Sequence, residues 1–267
     1  MAFSGLLGGK LGYWLLCKLV RDRAQSGEPF SDCGDQNWEY KLKEYFGDDF
    51  RSYIVDKVVL DYGCGSGKAV LCLGKMGAHL AIGMDINEVR LGEGRKLAEE
   101  ANLADKCTFI NAADHNNLSP FYGQVDVVVS IDAFEHYSDP ERELLEMLRL
   151  IRPGGSLFIS FGPPWWHPYG CHMMFMGAPP WTHVLFKERT IMAVRSLYRS
   201  DGAQRFEDVE GGLNRMAVRR FIHTIKDSGF VVKTLNCVPI RGMALLTGNQ
   251  LGRECLTSVV RAHLIKP

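Results

Sequence analysis

The sequence predicts an α/β fold, a mostly parallel β-sheet covered by helices on both faces. Three observations carry this. From residue 57 onward, short apolar runs alternate with amphipathic helical stretches. The runs show no polar alternation, as expected of parallel strands buried on both sides. The first run ends in a cluster of glycines, Gly63, Gly65 and Gly67, where a strand would turn sharply into a helix.

The elements follow in order. Val58–Tyr62 reads as the first strand and Lys68–Met76 as the helix after it. Leu80–Asp85 is the second strand, followed by a charged amphipathic helix over Glu88–Ala101. Cys107–Asn111 and the very apolar Val125–Ile131 are the third and fourth strands. Pro140–Ile151 is helical, with Leu144, Leu145, Leu148 and Ile151 on one face. Pro153-Gly154-Gly155 reads as its terminating turn, before a fifth strand at Ser156–Phe161. The rhythm then stops. Residues 163–213 hold five prolines and many aromatics, with a helical stretch near Lys187–Arg199, and read as a lid-like insertion. It resumes with a helix at Ala217–Ser228 and strands at Phe230–Val238 and near Leu256–Ile265. The expected organisation is an N-terminal helical cap (1–54), a main domain (55–162 and 214–267) and the aromatic-rich insertion (163–213).

Composition narrows the classes. A chain of 267 residues fits one large α/β domain with insertions. Lys plus Arg equals Asp plus Glu, so no basic surplus calls for a nucleic-acid partner. None of the eight cysteines forms a C-x-x-C pair, and several sit in apolar runs, which fits reduced thiols and a cytoplasmic location. Gly5–Val20 is apolar but shorter than the ~20 residues of a spanning helix and is interrupted by Lys10 and Lys18. It reads as a helix packed on the domain, with peripheral membrane contact as the alternative.

The glycine segment Asp61-Tyr62-Gly63-Cys64-Gly65-Ser66-Gly67-Lys68 selects among nucleotide loops. A phosphate-binding P-loop fails because position 62 is Tyr and position 69 is Ala. A dinucleotide G-x-G-x-x-G fails because position 68 is Lys. What stands is G-x-G-x-G after an acid. Taken alone, a strand-to-helix turn would explain the glycines.

In company, the segment resembles the class I S-adenosylmethionine-dependent methyltransferases. Asp85 closes the second strand 24 positions after Asp61. Asp114 follows the third strand, Ile131-Asp132 ends the fourth, and Arg152-Pro153-Gly154-Gly155 precedes the fifth. The resemblance covers about 55–162 and, more loosely, 214–267. It implies a Rossmann-like, seven-stranded, mostly parallel sheet with the last strand antiparallel. It further implies S-adenosylmethionine as cofactor, held by Asp61, Gly63, Cys64, Gly65, Gly67, Asp85, Ile86, Asp114, His115 and Ile131. In that family Asp85 would accept the ribose hydroxyls and Asp114 the adenine amine.

Asp132-Ala133-Phe134-Glu135-His136 resembles the acid-x-x-Glu-His segment of ubiquinone-pathway O-methyltransferases. The resemblance implies a divalent metal (Mg, Mn, Fe or Zn) on Asp132, Glu135, His136 and a later histidine, His183, with His167 and His172 as rivals. A plain helix-opening role for Glu135-His136 is the simpler alternative. Without metal, His136 or His183 would serve as general base. The insertion's Trp165, Trp166, Tyr169, Phe175, Trp181 and Phe186 form either a satellite core or an acceptor pocket. The expected activity is methyl transfer to a small or lipophilic acceptor, at oxygen before nitrogen. The alternatives are aminocarboxypropyl transfer or cyclisation on the same cofactor, and non-catalytic cofactor binding.

Overall fold

The computed structural model describes residues 5–24, 37–209 and 211–267. Part of the N-terminal cap, together with Cys33, lies outside the described residues. Three helices come first: α1 (Gly9–Ala24), α2 (Trp38–Phe46) and α3 (Phe50–Ile54). The alternating core follows as β1 (Val58–Tyr62), α4 (Lys68–Lys75), β2 (Leu80–Asp85), α5 (Glu88–Glu100), β3 (Cys107–Asn111), β4 (Val125–Ile131), α6 (Pro140–Leu150) and β5 (Ile151–Phe161). The insertion contributes α7 (Thr182–Leu185) and α8 (Glu188–Arg195). The chain closes with α9 (Val218–Lys226), β6 (Val231–Pro239), α10 (Gln250–Leu256) and β7 (Thr257–Ile265).

The strands form one seven-stranded sheet in the order β3-β2-β1-β4-β5-β7-β6. The β1–β2, β1–β4, β2–β3 and β4–β5 pairs are parallel, and β7 runs antiparallel to both β5 and β6. The expected architecture is therefore present. The order reverses between β1 and β4, and the crevice at such a switch point is where ligands bind in open α/β sheets. Two apolar layers cover the sheet. One includes Leu60, Ile82, Val128, Phe134, Phe161 and Phe221. The other includes Phe50, Val59, Leu73, Phe109, Val129 and Phe158.

Two details differ from the sequence reading. The fifth strand begins at Ile151 and not at Ser156, because Ile151 pairs with Val125 and the Gly154 amide donates to Lys266 O at 2.9 Å. Pro153-Gly154-Gly155 is thus an irregular, bulged start to the strand. Helix α10, in the connection between β6 and β7, had no counterpart in the sequence reading. Its Glu254 carboxylate accepts the Val218 and Arg219 amides at 3.1 and 2.6 Å, satisfying the open N-terminus of α9.

The insertion and α1 build a third apolar cluster. Leu16 and Val20 of α1 pack with Met173, Met176, Phe186 and Ile191. Leu7 exchanges backbone hydrogen bonds with Leu185 and Lys187. Met173, Met176, Phe186 and Phe206 of the insertion are therefore satellite core, with Trp165 packed against them. Among the described residues no helix is long and apolar enough to cross a membrane.

Phe109 is ringed by glycines. A Cβ at Gly67, Gly83 or Gly94 would lie 2.2, 2.8 or 2.6 Å from its ring. Gly94→Ala is expected to destabilise the protein by about 1–3 kcal/mol, although alanine is the better helix former. Urea unfolding measures this. The double variant Gly94→Ala/Phe109→Leu should recover part of the loss, since the two positions touch.

Candidate functional site

The turn after β1 is shaped by three left-handed residues, Gly63, Gly65 and Gly67, at φ 83°, 54° and 73°. At Gly63 and Gly67 glycine is required for space as well as for φ. A Cβ on Gly63 would stand 2.9 Å from Ala133 Cβ and 3.2 Å from the Tyr137 hydroxyl. The Gly63 and Cys64 amides donate to Met84 O, and the Gly65 amide donates to Asp85 Oδ2 at 2.9 Å. Asp85 Oδ1 accepts the Asn87 amide at 2.9 Å, so this one carboxylate joins the β1 and β2 turns. Beside it Ile86 is 73% exposed, an apolar shelf at the strand edge. Asp114 lies exposed beyond β3 and accepts the Asn116 amide. The His115 side chain lies outside the described set. Ile131 is buried at the end of β4. The ends of β1 to β4 thus bring the expected cofactor residues to one edge of the sheet.

Acids concentrate at this edge. Asp61 is buried, and burial followed by the nearby Asp85 pushes its carboxyl up to about 7, against the opposing pull of Lys41. Glu135 is also buried, and burial with Asp132 next to it raises its carboxyl to about 8. Lys41 answers them. Its Nζ reaches Asp132 Oδ2 at 2.7 Å and lies over the rings of Trp38 and Tyr45. Asp132 itself is left-handed at φ 51°, a costly conformation for a non-glycine residue that is held here by its surroundings.

The turn from Asp132 to Tyr137 is fastened from two sides. The Tyr137 hydroxyl donates to Tyr62 O at 2.7 Å and meets Ser130 Oγ at 2.9 Å. From the end of the insertion, Asn214 Nδ2 donates to Phe134 O and Tyr137 O, and its amide donates to Glu135 O. His136 Nδ1 donates to Gly212 O at 2.6 Å, which leaves Nε2 as the unprotonated nitrogen. Gly211 and Gly212 are both left-handed, with φ 81° and 70°. Lys41, Tyr137 and the Gly211-Gly212-Leu213-Asn214 strap were not anticipated. The signal for Lys41 was present in the helical spacing of Trp38, Lys41, Leu42 and Tyr45, which places them together on α2.

The four metal candidates do not converge. Asp132 is paired with Lys41, and Glu135 Oε1 accepts the Gly162 amide at 3.1 Å. His183 is buried, and its Nε2 donates to Trp165 O at 2.6 Å, leaving Nδ1 without a partner. The ring beside His136 is instead His172, with centroids 5.6 Å apart. His172 Nε2 lies 3.3 Å from Pro163 O, and His167 Nδ1 accepts the Tyr169 amide. Burial holds His167, His172 and His183 down near 4, as neutral rings. Among the described residues no three His, Cys, Asp or Glu side chains are grouped to hold a metal ion. As placed, the residues do not fit such an ion.

Comparison with known proteins agrees with this geometry. The family model described as "Methyltransferase domain" matches residues 60–159. Over 104 residues the chain is 36% identical to the ubiquinone biosynthesis O-methyltransferase of Aeromonas salmonicida, spanning 39% of this chain and 42% of that protein. It is 35% identical over 108 residues to the ribosomal protein L11 methyltransferase of Photobacterium profundum, spanning 40% of this chain and 34% of that protein. The chain thus spans less than half the length of these relatives. Two solved structures share the fold. The cyclase SpnF has a TM-score of 0.56 at 16% identity, covering 99% of each chain. An S-adenosylmethionine-dependent methyltransferase from Mesorhizobium loti has a TM-score of 0.56 at 18% identity, covering 86% of this chain and 99% of that one. Residues 60–159 thus match a methyltransferase domain and are similar in sequence to ubiquinone-pathway O-methyltransferases, within a fold shared with S-adenosylmethionine-dependent methyltransferases.

Proposed function

We propose that this protein transfers the methyl group of S-adenosylmethionine to a hydroxyl of a small, lipophilic acceptor. The observation that carries the reading is the pairing of the glycine cradle with His136 at the neighbouring strand end. Asp85 would take the ribose hydroxyls, Ile86 the adenine face, and Asp61 the cationic amino acid end. Methyl transfer from a sulfonium is an in-line displacement, so positioning dominates the barrier. The hydroxyl must also lose its proton. The Gly212 carbonyl fixes the His136 tautomer, so Nε2 is the base that receives it. His183 faces Trp165 O and belongs to the packing of the insertion in this reading. No step is routed through a metal, because Asp132 and Glu135 would first have to leave Lys41 and Gly162. The same reading places the N-terminal helix, which exposes Leu11 and Trp14 beside Lys10 and Lys18, against a membrane surface.

SpnF has this fold and is a cyclase, so the product must be identified. S-adenosylhomocysteine is the expected product. Methylthioadenosine, or cofactor binding without turnover, would overturn the proposal.

His136→Asn is expected to lower kcat by about a hundred- to ten-thousand-fold with cofactor affinity unchanged, as read by steady-state kinetics and calorimetry. Asp85→Ala should weaken cofactor binding by about 10–100-fold, since it removes charged hydrogen bonds and frees the Gly65 amide.

The raised Asp61 carboxyl gives a signed pH effect. In the free protein it is protonated below about 7, whereas the cationic cofactor favours the carboxylate. Binding below that pH therefore releases a proton, and affinity falls by up to about tenfold per pH unit as pH drops further. Calorimetry in buffers of different ionisation enthalpy detects the proton. Asp61→Asn should abolish the effect.

A further inference from the structure

We infer that the connection between β6 and β7, residues 240–253, docks this protein onto an anionic lipid bilayer. Leu245, Leu246 and Leu251 are 98, 58 and 74% exposed, and Met243 stands beside them. Clustered apolar exposure of this kind marks an interaction site. The segment Ile240-Arg241-Gly242-Met243-Ala244-Leu245-Leu246-Thr247-Gly248-Asn249-Gln250-Leu251-Gly252-Arg253 contains no Asp or Glu, and both of its charged residues are exposed arginines.

A cationic groove of about 700 Å³ adjoins it, since Gln250 and Glu254 of α10 line the groove too. Its other wall carries Arg219, Arg220, His223 and Lys226 of α9, with Trp166 of the insertion. The nearby acids are engaged. Glu254 accepts the amides at the α9 N-terminus, Glu141 pairs with Arg220, and Asp227 lies 3.5 Å from His223. Arg241 and Arg253 thus flank the apolar residues in the segment, and Arg219 and Lys226 line the adjoining groove. Apolar side chains entering the acyl boundary, with cations at headgroup level, is how interfacial segments bind anionic membranes.

Charge complementarity selects the occupant. A second copy meeting this patch across a two-fold axis would set arginine against arginine, because such contacts are self-complementary. Four apolar side chains are also few for a stable protein interface, which takes about 800 Å² per partner. Placement supports the lipid. Pro239, just before the segment, pairs with Thr257, and Gly162 at the end of β5 packs on Ser258. The segment therefore stands at the same sheet edge as the candidate site and would turn that edge toward the bilayer. The inference does not rest on the proposed reaction, because vesicle binding is read without turnover.

The test is co-sedimentation of the full chain with vesicles of two parts phosphatidylcholine to one part phosphatidylglycerol, against phosphatidylcholine alone. Wild type should pellet with the anionic vesicles and be released by high salt. Leu245→Glu/Leu251→Glu should lower the bound fraction by about tenfold or more, and Arg241→Glu/Arg253→Glu comparably, with thermal stability and cofactor affinity unchanged. Leu245→Ser/Leu251→Ser provides the milder variant should the first misfold, and the same loss is expected of it. The inference fails if wild type remains in the supernatant, or if folded variants pellet as wild type does. It also fails if the leucine variant converts a dimer to a monomer in sedimentation velocity, which would assign the patch to a second copy.

Discussion

The site depends on one close approach, that of the turn after β1 to the turns on either side of it. Gly63 lies against Ala133 and the Tyr137 hydroxyl, Gly65 against the Asp85 carboxylate, and Gly67 against the Phe109 ring. A side chain at Gly63 would collide with Ala133 and one at Gly67 with the Phe109 ring, whereas Gly65 is held to glycine by its positive φ. The cradle is thus a consequence of backbone proximity, and its acids are placed by the strands that carry them.

Burial then governs the electrostatics. Asp61 and Glu135 are taken out of water at neighbouring strand ends, which favours their neutral forms. Lys41 offsets part of this from α2, supported by Trp38 and Tyr45. A cationic ligand entering the cradle would meet the same carboxylates that Lys41 now faces. Helix α2 therefore stands beside the site, although it precedes the strand–helix alternation entirely.

The strap that ends the insertion also stands beside the site. Asn214 ties three backbone groups of the Asp132–Tyr137 turn, and Gly212 orients His136. The Arg215 guanidinium, itself in a left-handed residue, bonds Glu188 of α8 and lies over Trp165 and Phe206. Packing inside the insertion is in this way linked to the geometry beside the cradle. Of the insertion's aromatics, Phe186 and Trp165 join the satellite core, whereas Phe175 and Trp181 stay partly exposed.

The sequence by itself determined the sheet. Strands apolar on both faces can only be buried between helices, so β1 to β5 were readable to within a few residues, apart from the early start of β5. The glycine turn and the acids at Asp61, Asp85 and Asp114 were readable for the same local reason, since each sits at a fixed offset from a strand end. Partners far apart in the chain were decided only by the tertiary structure. The resemblance suggested His183 as the companion of Glu135 and His136, with His172 as a rival, yet the fold turns His183 to Trp165 O and sets His172 beside His136. Nothing local in Lys41 or Gly212 reveals that one pairs with Asp132 and the other holds His136, because those contacts arise only when distant segments close over the sheet edge. Helix α10 stayed hidden because none of its residues is buried, so no apolar stripe marked it as a helix.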